Sequence, residues 1–347
     1  MAVVAGPSEV WGAAAPSSGA TDVACGRAPA GSPPETGRLS ANDITELAAR
    51  LRSGLGRDAT AGEVVHAAVA VSVARLVHHE PLIRRRGDDP EDVHQARVAT
   101  RRLRSDLRTF APLLDQPSVE PLRDELRWLA ARLGAVRDAD VLGQRLRYRL
   151  DDLPGPGDRA AAAPVLAVLA PERDQARDEL CAALCSERHA VLLGGLAAAA
   201  TAIRIDDGAD GPARKVLPLL VRAPWRRVKR AVRVLDDETD RDAGDRLHEV
   251  RKRAKRCRYA AEAVAPVVGK PARRFAEAME QVQEVLGERQ DATVSGAWLQ
   301  SHVPDDVAGA FAVGQLVAME ERAAADATAA WRATWKRARQ PELRFWR

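Results

Sequence analysis

Two stretches of this chain carry the same arrangement of side chains. His94 opens the run HQARVATRRLRSDLRTF, and His248, 154 residues later, opens HEVRKRAKRCRYAAEAV. Downstream of each comes a second match, Leu133-Gly-Ala-Val-Arg-Asp138 and Leu286-Gly-Glu-Arg-Gln-Asp291, offset by 153. Two independent matches at nearly one offset mark the chain as a duplicated helical unit.

Read as helices, both runs divide into two faces. His94, Arg97, Arg101, Arg104 and Arg108 follow one another at steps of three and four, which places them on one side. Val93, Ala96, Leu103, Leu107 and Phe110 form an adjoining apolar stripe. The second run repeats the layout, with His248, Arg251, Lys255 and Arg258 beside Leu247, Val250, Ala254, Cys257 and Ala261. Each helix therefore packs by one side and presents a rail of cations next to it. Like charges one turn apart repel by a few tenths of a kcal/mol per pair, and within the two runs only Asp106, Glu249 and Glu262 relieve them. A rail that repeats every ~5 Å along the helix axis suits a linear ligand of repeated negative charge, because each guanidinium offers a planar fork to phosphate oxygens and neutralisation releases counterions. Upstream of the second run Arg214, Lys215, Arg222, Arg226, Arg227, Lys229, Arg230 and Arg233 occur with no acid from Pro212 to Leu235, so the second half is expected to bind more tightly.

Composition agrees with an all-α chain. Residues are 46% hydrophobic, mostly Ala, Leu and Val, only 4% are aromatic, and neither half contains an alternating β-branched run. With 53 basic against 49 acidic residues the net charge is only +4, so any basic character that matters is local. Residues 1–57 are expected to be a disordered Ala/Gly/Pro/Ser-rich tail ending in a short amphipathic linker helix. Residues 58–205 form the first helical bundle and 213–342 the second, divided by the Asp/Gly-rich break at 206–212; a second break at 151–157 stops one helix, and 160–200 reads as two structural helices. Four cysteines without CxxC spacing fit a reducing compartment. The N-terminus lacks a basic region ahead of an apolar core, and the longest apolar stretch, around 190–200, is short for a bilayer span, so a cytoplasmic protein with no membrane partner is expected.

On the motifs His94-Gln-Ala-Arg-Val-Ala-Thr-Arg-Arg-Leu-Arg-Ser, Leu133-Gly-Ala-Val-Arg-Asp-Ala-Asp140 and Leu247-His-Glu-Val-Arg-Lys-Arg-Ala-Lys-Arg-Cys-Arg-Tyr259, the sequence resembles the CHAD family of conserved-histidine α-helical domains. The resemblance covers about residues 60–340. It implies two four-helix bundles related by a pseudo-two-fold, basic helices lining a central groove, and binding of inorganic polyphosphate, often at polyphosphate granules. Carried over by position, it assigns phosphate contact to His94, Arg97, Arg101, Arg102, Arg104 and Arg108, and to His248, Arg251, Lys252, Lys255, Arg256 and Arg258. Arg226, Lys229, Arg230 and Arg233 are additions from the preceding helix. The copies differ where Arg137 is answered by Gln290 and Val98 by Lys252. Such domains often accompany a CYTH-type triphosphate tunnel domain; no ExExK strand occurs here, so a stand-alone binder is expected.

Three other readings use the same residues. A metal-dependent polyphosphate or triphosphate hydrolase would need carboxylates near the cations; Asp138, Asp140 and Asp291 are the candidates, with pairing to a neighbouring arginine the simpler role. Nucleic-acid binding would share the electrostatics but needs stacking platforms, and only Tyr259, Phe110 and Trp225 lie near the basic runs. Cys181, Cys185 and His189 share a helical spacing that suits metal ligands, yet their neighbours are those of a packed helix. The expectation is therefore a non-catalytic polyanion binder with no cofactor and no metal, in which anionic occupancy favours protonation of His94 and His248.

Overall fold

The computed structural model describes residues 40–56, 58–84, 90–236 and 243–346. Of the tail and linker helix expected over residues 1–57, residues 1–39 lie outside the described residues. The fold is all-α, and no β-strand occurs among the described residues.

Helices α1 (Ala41–Ser53), α2 (Ala61–Arg84), α3 (Pro90–Thr109) and α4 (Gln116–Asp151) pack in succession. Helices α5 (Pro156–Ala162), α6 (Pro164–Leu184), α7 (Glu187–Ala202) and α8 (Ala213–Leu220) follow, of which α5 and α8 are short. A second packed succession is α9 (Arg222–Asp236), α10 (Ala243–Val268), α11 (Lys270–Ser301) and α12 (Val307–Ala338). The region expected to hold two helices over 160–200 holds three, because Pro164 starts α6 at a position that needs no amide donor and Ser186 caps α7.

Local sequence explains the ends of the two repeated helices. α3 opens on Pro90 with Glu91 and Asp92 in its first turn and closes with Arg108 in its last, which suits the helix dipole. α10 gives way to α11 through Gly269 alone, whose φ of +80° lies in the left-handed region that a side chain would strain. The first copy turns differently, through a 3-10 turn at Ala111–Leu113 and an Asp115 cap on α4.

Two clusters of apolar side chains hold the molecule. The larger runs from Ile44 and Ala48 of α1 to Trp331, Trp335 and Trp346. The smaller joins Leu146, Leu150 and Leu169 to Leu299, Val313 and Leu316. Both draw on both halves of the sequence, and all described residues belong to one compact unit. The linker 206–212 is thus stitched into the body rather than spanning between bodies. Ala61 N–H donates to Gly211 C=O (2.9 Å), Ala213 N–H to Ala59 C=O (3.0 Å) and Asp206 N–H to Leu113 C=O (3.1 Å). Helix α1, grouped with the tail in the sequence reading, contributes to the core, and so does Trp346, beyond the expected end at 342, which packs on Phe275 and Trp225.

α2 is long and apolar enough to cross a membrane by length and composition, and 61% of that window is buried inside the fold. That burial is what a core helix requires.

Candidate functional site

The apolar stripes of the two repeated helices meet the core as their spacing requires. Val93, Ala96, Leu103, Leu107 and Phe110 are buried, and so are Leu247, Val250, Ala254, Cys257 and Ala261. α3 and α10 also pack on each other. Their cationic sides line three neighbouring cavities of about 390, 270 and 530 Å³, which together are called the trench below. Arg97, Arg101 and Lys255 line both the first and the second; Ser105, Arg108 and Arg256 line both the second and the third. From His94 to Arg108 the rail on α3 measures about 21 Å.

The first cavity is lined by repeat-equivalent pairs. His94 and His248, Arg97 and Arg251, Arg101 and Lys255, Arg137 and Gln290, and Asp138 and Asp291 all contribute to it. The acid of the recurring Leu-Gly…Asp motif has an arginine neighbour in each copy. Arg97 Nη1 donates to Asp138 Oδ1 (2.6 Å) and to the Gly134 carbonyl (3.4 Å). In the second copy Arg251 Nε lies at ordinary contact distance, 3.5 Å, from where a Cβ on Gly287 would stand, whereas a Cβ on Gly134 would meet nothing within 4 Å. In each copy the helix after the rail carries a glycine where an arginine crosses it and an acid one turn beyond.

The pairs are not identical. His248 Nδ1–H donates to Gln290 Oε1 (2.7 Å), which fixes the ring. His94 is instead held below the ordinary imidazole range, first by burial and then by Arg137. The expected protonation of His94 therefore depends on the charge a ligand brings.

Burial, reinforced by like-charge repulsion, weakens the hold of the central cations on their protons. Burial, then Arg101, Arg251 and Arg97, bring the Lys255 ammonium down to about 7. Arg101, Arg104, Arg108 and Arg256 are all pushed below the usual guanidinium range, first by burial and then by neighbouring guanidiniums. The buried Nε atoms of Arg101 and Arg251 have no hydrogen-bond partner among the described residues.

Not every expected residue joins this surface. Arg102 faces the other way, paired with Glu262 and, at 3.4 Å, with Asp106. Arg258 is held by Glu262 and Glu280, both at 2.7 Å, behind the Tyr259 ring. Arg102 sits one residue from Arg101, so helix geometry turns it about 100° off the rail; Arg258 is captured by an acid one turn further along its own helix. Lys252 and Arg256 line the second cavity, with Lys252 also pairing Glu249 at 2.8 Å. Arg226 reaches the third cavity, but Lys229, Arg230 and Arg233 are exposed on α9 and line none of the three.

Several trench residues were not singled out as site residues from the sequence. Arg137 sits inside the second repeated motif, and Arg227 inside the acid-free run, so both carried a signal. Arg253 lines the third cavity and Tyr259 the second, both within the second repeated run, while Arg123 lines the third cavity with no comparable sequence mark.

The acids have structural partners. Asp138 holds Arg97, and Asp140 accepts from Arg173 Nε at 2.7 Å. Asp291 is raised by burial against the pull of Arg251. At one end of the first cavity Arg145 makes forked hydrogen bonds to Glu288 and to the fully buried Glu320, joining α4 to α11 and α12. Among the described residues no three His, Cys, Asp or Glu side chains form a group that could hold a metal. His189 is buried beside Glu80 and held down to about 4 by burial and Arg84. Tyr259, Phe110 and Trp225 are all buried, so none offers an open face to a base.

A separate cavity of about 450 Å³ lies on the back of the α3–α10 pair, where Arg102 and Asp106 meet Glu262 and Glu280 over an apolar floor.

Comparison with known proteins agrees with this architecture. Residues 67–300 match the CHAD domain family. Two curated relatives from Mycobacterium tuberculosis, the uncharacterised proteins MT2285 and Rv2226, are each 33% identical over 265 residues, which is 74% of this chain and 49% of theirs. The chain thus spans about half the length of these relatives. PptA from Streptomyces chartreusis superposes with a TM-score of 0.67 at 23% identity, over 80% of this chain and all of that one. The CHAD domain from the plant Ricinus communis superposes with a TM-score of 0.60 at 28% identity, over 81% of this chain and 93% of that one. The duplicated motifs, the all-helical fold and the matched span together make this chain a member of the CHAD domain family.

Proposed function

We propose that the protein captures inorganic polyphosphate by electrostatics, without chemistry of its own, inside the cell and at polyphosphate granules. The observation that supports this reading is that cations of α3 and α10 line the same cavities, the first of which has six Arg and Lys side chains and two acids in its lining. A flexible polyanion lying along the trench would replace their mutual repulsion with charge-assisted hydrogen bonds and release its own counterions. The trench is extended rather than pocket-like, which favours a chain of charges over a single phosphate. Nucleic acid would meet the same cations but no open aromatic platform.

Binding to long-chain polyphosphate, tripolyphosphate and DNA at two salt concentrations tests the reading. Long-chain polyphosphate is expected to bind tightest, with log affinity falling about 0.7 per decade of salt for each phosphate neutralised. Stronger or equal binding of DNA in direct competition would refute it. Incubation of bound polyphosphate with magnesium is expected to release no phosphate, and release would replace the binding role with a hydrolytic one.

A further inference from the structure

We propose that Lys255 takes up a proton from solvent when a dense polyanion enters the trench, and that this uptake makes the site select for high linear charge density. The inference deepens the polyphosphate reading and rests on it.

Lys255 lines both the first and the second cavity, and the position it shares between them is called the waist here. From α3 it is faced by Arg97 and Arg101, and along its own helix by Arg251 and Arg258. The acids near this waist already have partners. Asp138 of α4 is bound to Arg97 at 2.6 Å, and Glu262 to Arg258 and Arg102. Asp291 of α11, which shares the first cavity, interacts with Arg251 and Arg145. The remaining charge that α4 brings to that cavity is cationic, Arg137 and Arg145, and Arg145 is occupied by Glu288 and Glu320. Of the other helices on α10, α9 brings charge only to the third cavity, through Arg222, Arg226 and Arg227, and Arg214 and Lys215 of α8 line none of the three. Lys255 has no ion pair with an acid among the described residues.

The choice of side chain matters here. The repeat-equivalent of Lys255 is Arg101, and a guanidinium keeps its proton at any physiological pH, whereas a desolvated ammonium gives one up readily. A lysine at the waist therefore lets the crowded empty trench shed one unit of positive charge. Phosphate oxygens arriving at high density restore the proton, because opposite charge at short range favours the charged form. A ligand with one phosphate per nucleotide brings less negative charge into the same length and draws the proton less strongly.

Calorimetry on the full chain with long-chain polyphosphate, at about pH 8 in two buffers of different ionisation enthalpy, reads the uptake directly. The unsubstituted protein is expected to take up close to one proton per occupied trench, and its affinity to fall up to about tenfold per unit between about pH 7 and pH 9. Lys255→Arg is expected to abolish the uptake at that pH and to flatten the pH dependence of binding. Lys255→Met is expected to abolish both as well, with weaker binding at the lower pH. An oligonucleotide of matched length is expected to draw a smaller fraction of a proton. Uptake that persists in both variants would assign the proton to another group, such as His94 or His248, and overturn the proposal, as would tight binding with no uptake in the unsubstituted protein or equal uptake with the oligonucleotide. Failure to bind polyphosphate at low salt at any pH would instead remove the underlying reading.

Discussion

The two flanks of the α3–α10 pair carry similar side chains to opposite ends. On the trench flank Arg97, Arg101, Arg104 and Lys255 converge with Asp138 as the nearest paired acid, and burial plus mutual repulsion hold Arg101, Arg104 and Lys255 below their ordinary ranges. On the back flank Arg102 and Arg258 meet Asp106, Glu262 and Glu280, and the acids raise Arg258 above its ordinary range despite its burial. Arg101 and Arg102 are consecutive residues. The difference between an arginine poised for a ligand and one that fastens two helices lies in which acids the fold delivers to it, not in the residue or its helix.

Breaking the shared core of the pair should give the largest effect, because it removes both flanks at once. Leu103 and Leu107 are fully buried, and Leu103→Ala or Leu107→Ala is expected to destabilise by about 2–5 kcal/mol each, read in denaturant unfolding. Next in size, Arg97, Arg101 and Arg104 replaced together by Ala should weaken polyphosphate binding and reduce its salt slope by about 2. Helical circular dichroism and melting temperature should stay level or rise slightly as repulsion is relieved. An unchanged salt slope would place the ligand elsewhere.

The back flank should respond in the opposite sense. Glu262→Ala strips Arg102 and Arg258 of a shared acceptor and is expected to lower stability by about 1–3 kcal/mol while leaving polyphosphate affinity intact. The smallest effect belongs to Asp106, which is buried and raised to about 6 by that burial despite Arg102 and Ser72. A carboxyl whose folded value lies above its unfolded one stabilises the protonated protein. Its contribution is complete below about pH 4 and is lost as pH rises through about 6. Asp106→Asn should flatten the stability profile across that window, measured as melting temperature against pH, with little change in ligand binding.

Much of the site was legible because helix periodicity is local. The steps from His94 to Arg108 and from His248 to Lys255 specify a face without knowledge of anything else, and the repeat spacing implied that the two faces belong together. Arg102 and Arg258 were misplaced for the converse reason. The partner of Arg102 lies 160 residues away on Glu262, and Glu280 reaches Arg258 from the next helix. Arg123 and Arg253 entered the trench through the packing of α4 and α10, while Lys229, Arg230 and Arg233 belong to a basic run that only partly turns inward.

The sequence by itself determined an all-helical chain, its duplication, the apolar stripe of each repeated helix and the register of the cations beside it, since each follows from spacing within a few turns. Only the tertiary structure decided that both halves share their cores, that α3 and α10 open their rails into one trench, and which arginines meet an acid. Those outcomes depend on contacts between residues far apart in the chain, where one residue step of about 100° separates Arg101 on the trench side from Arg102 in a half-buried ion pair with Glu262.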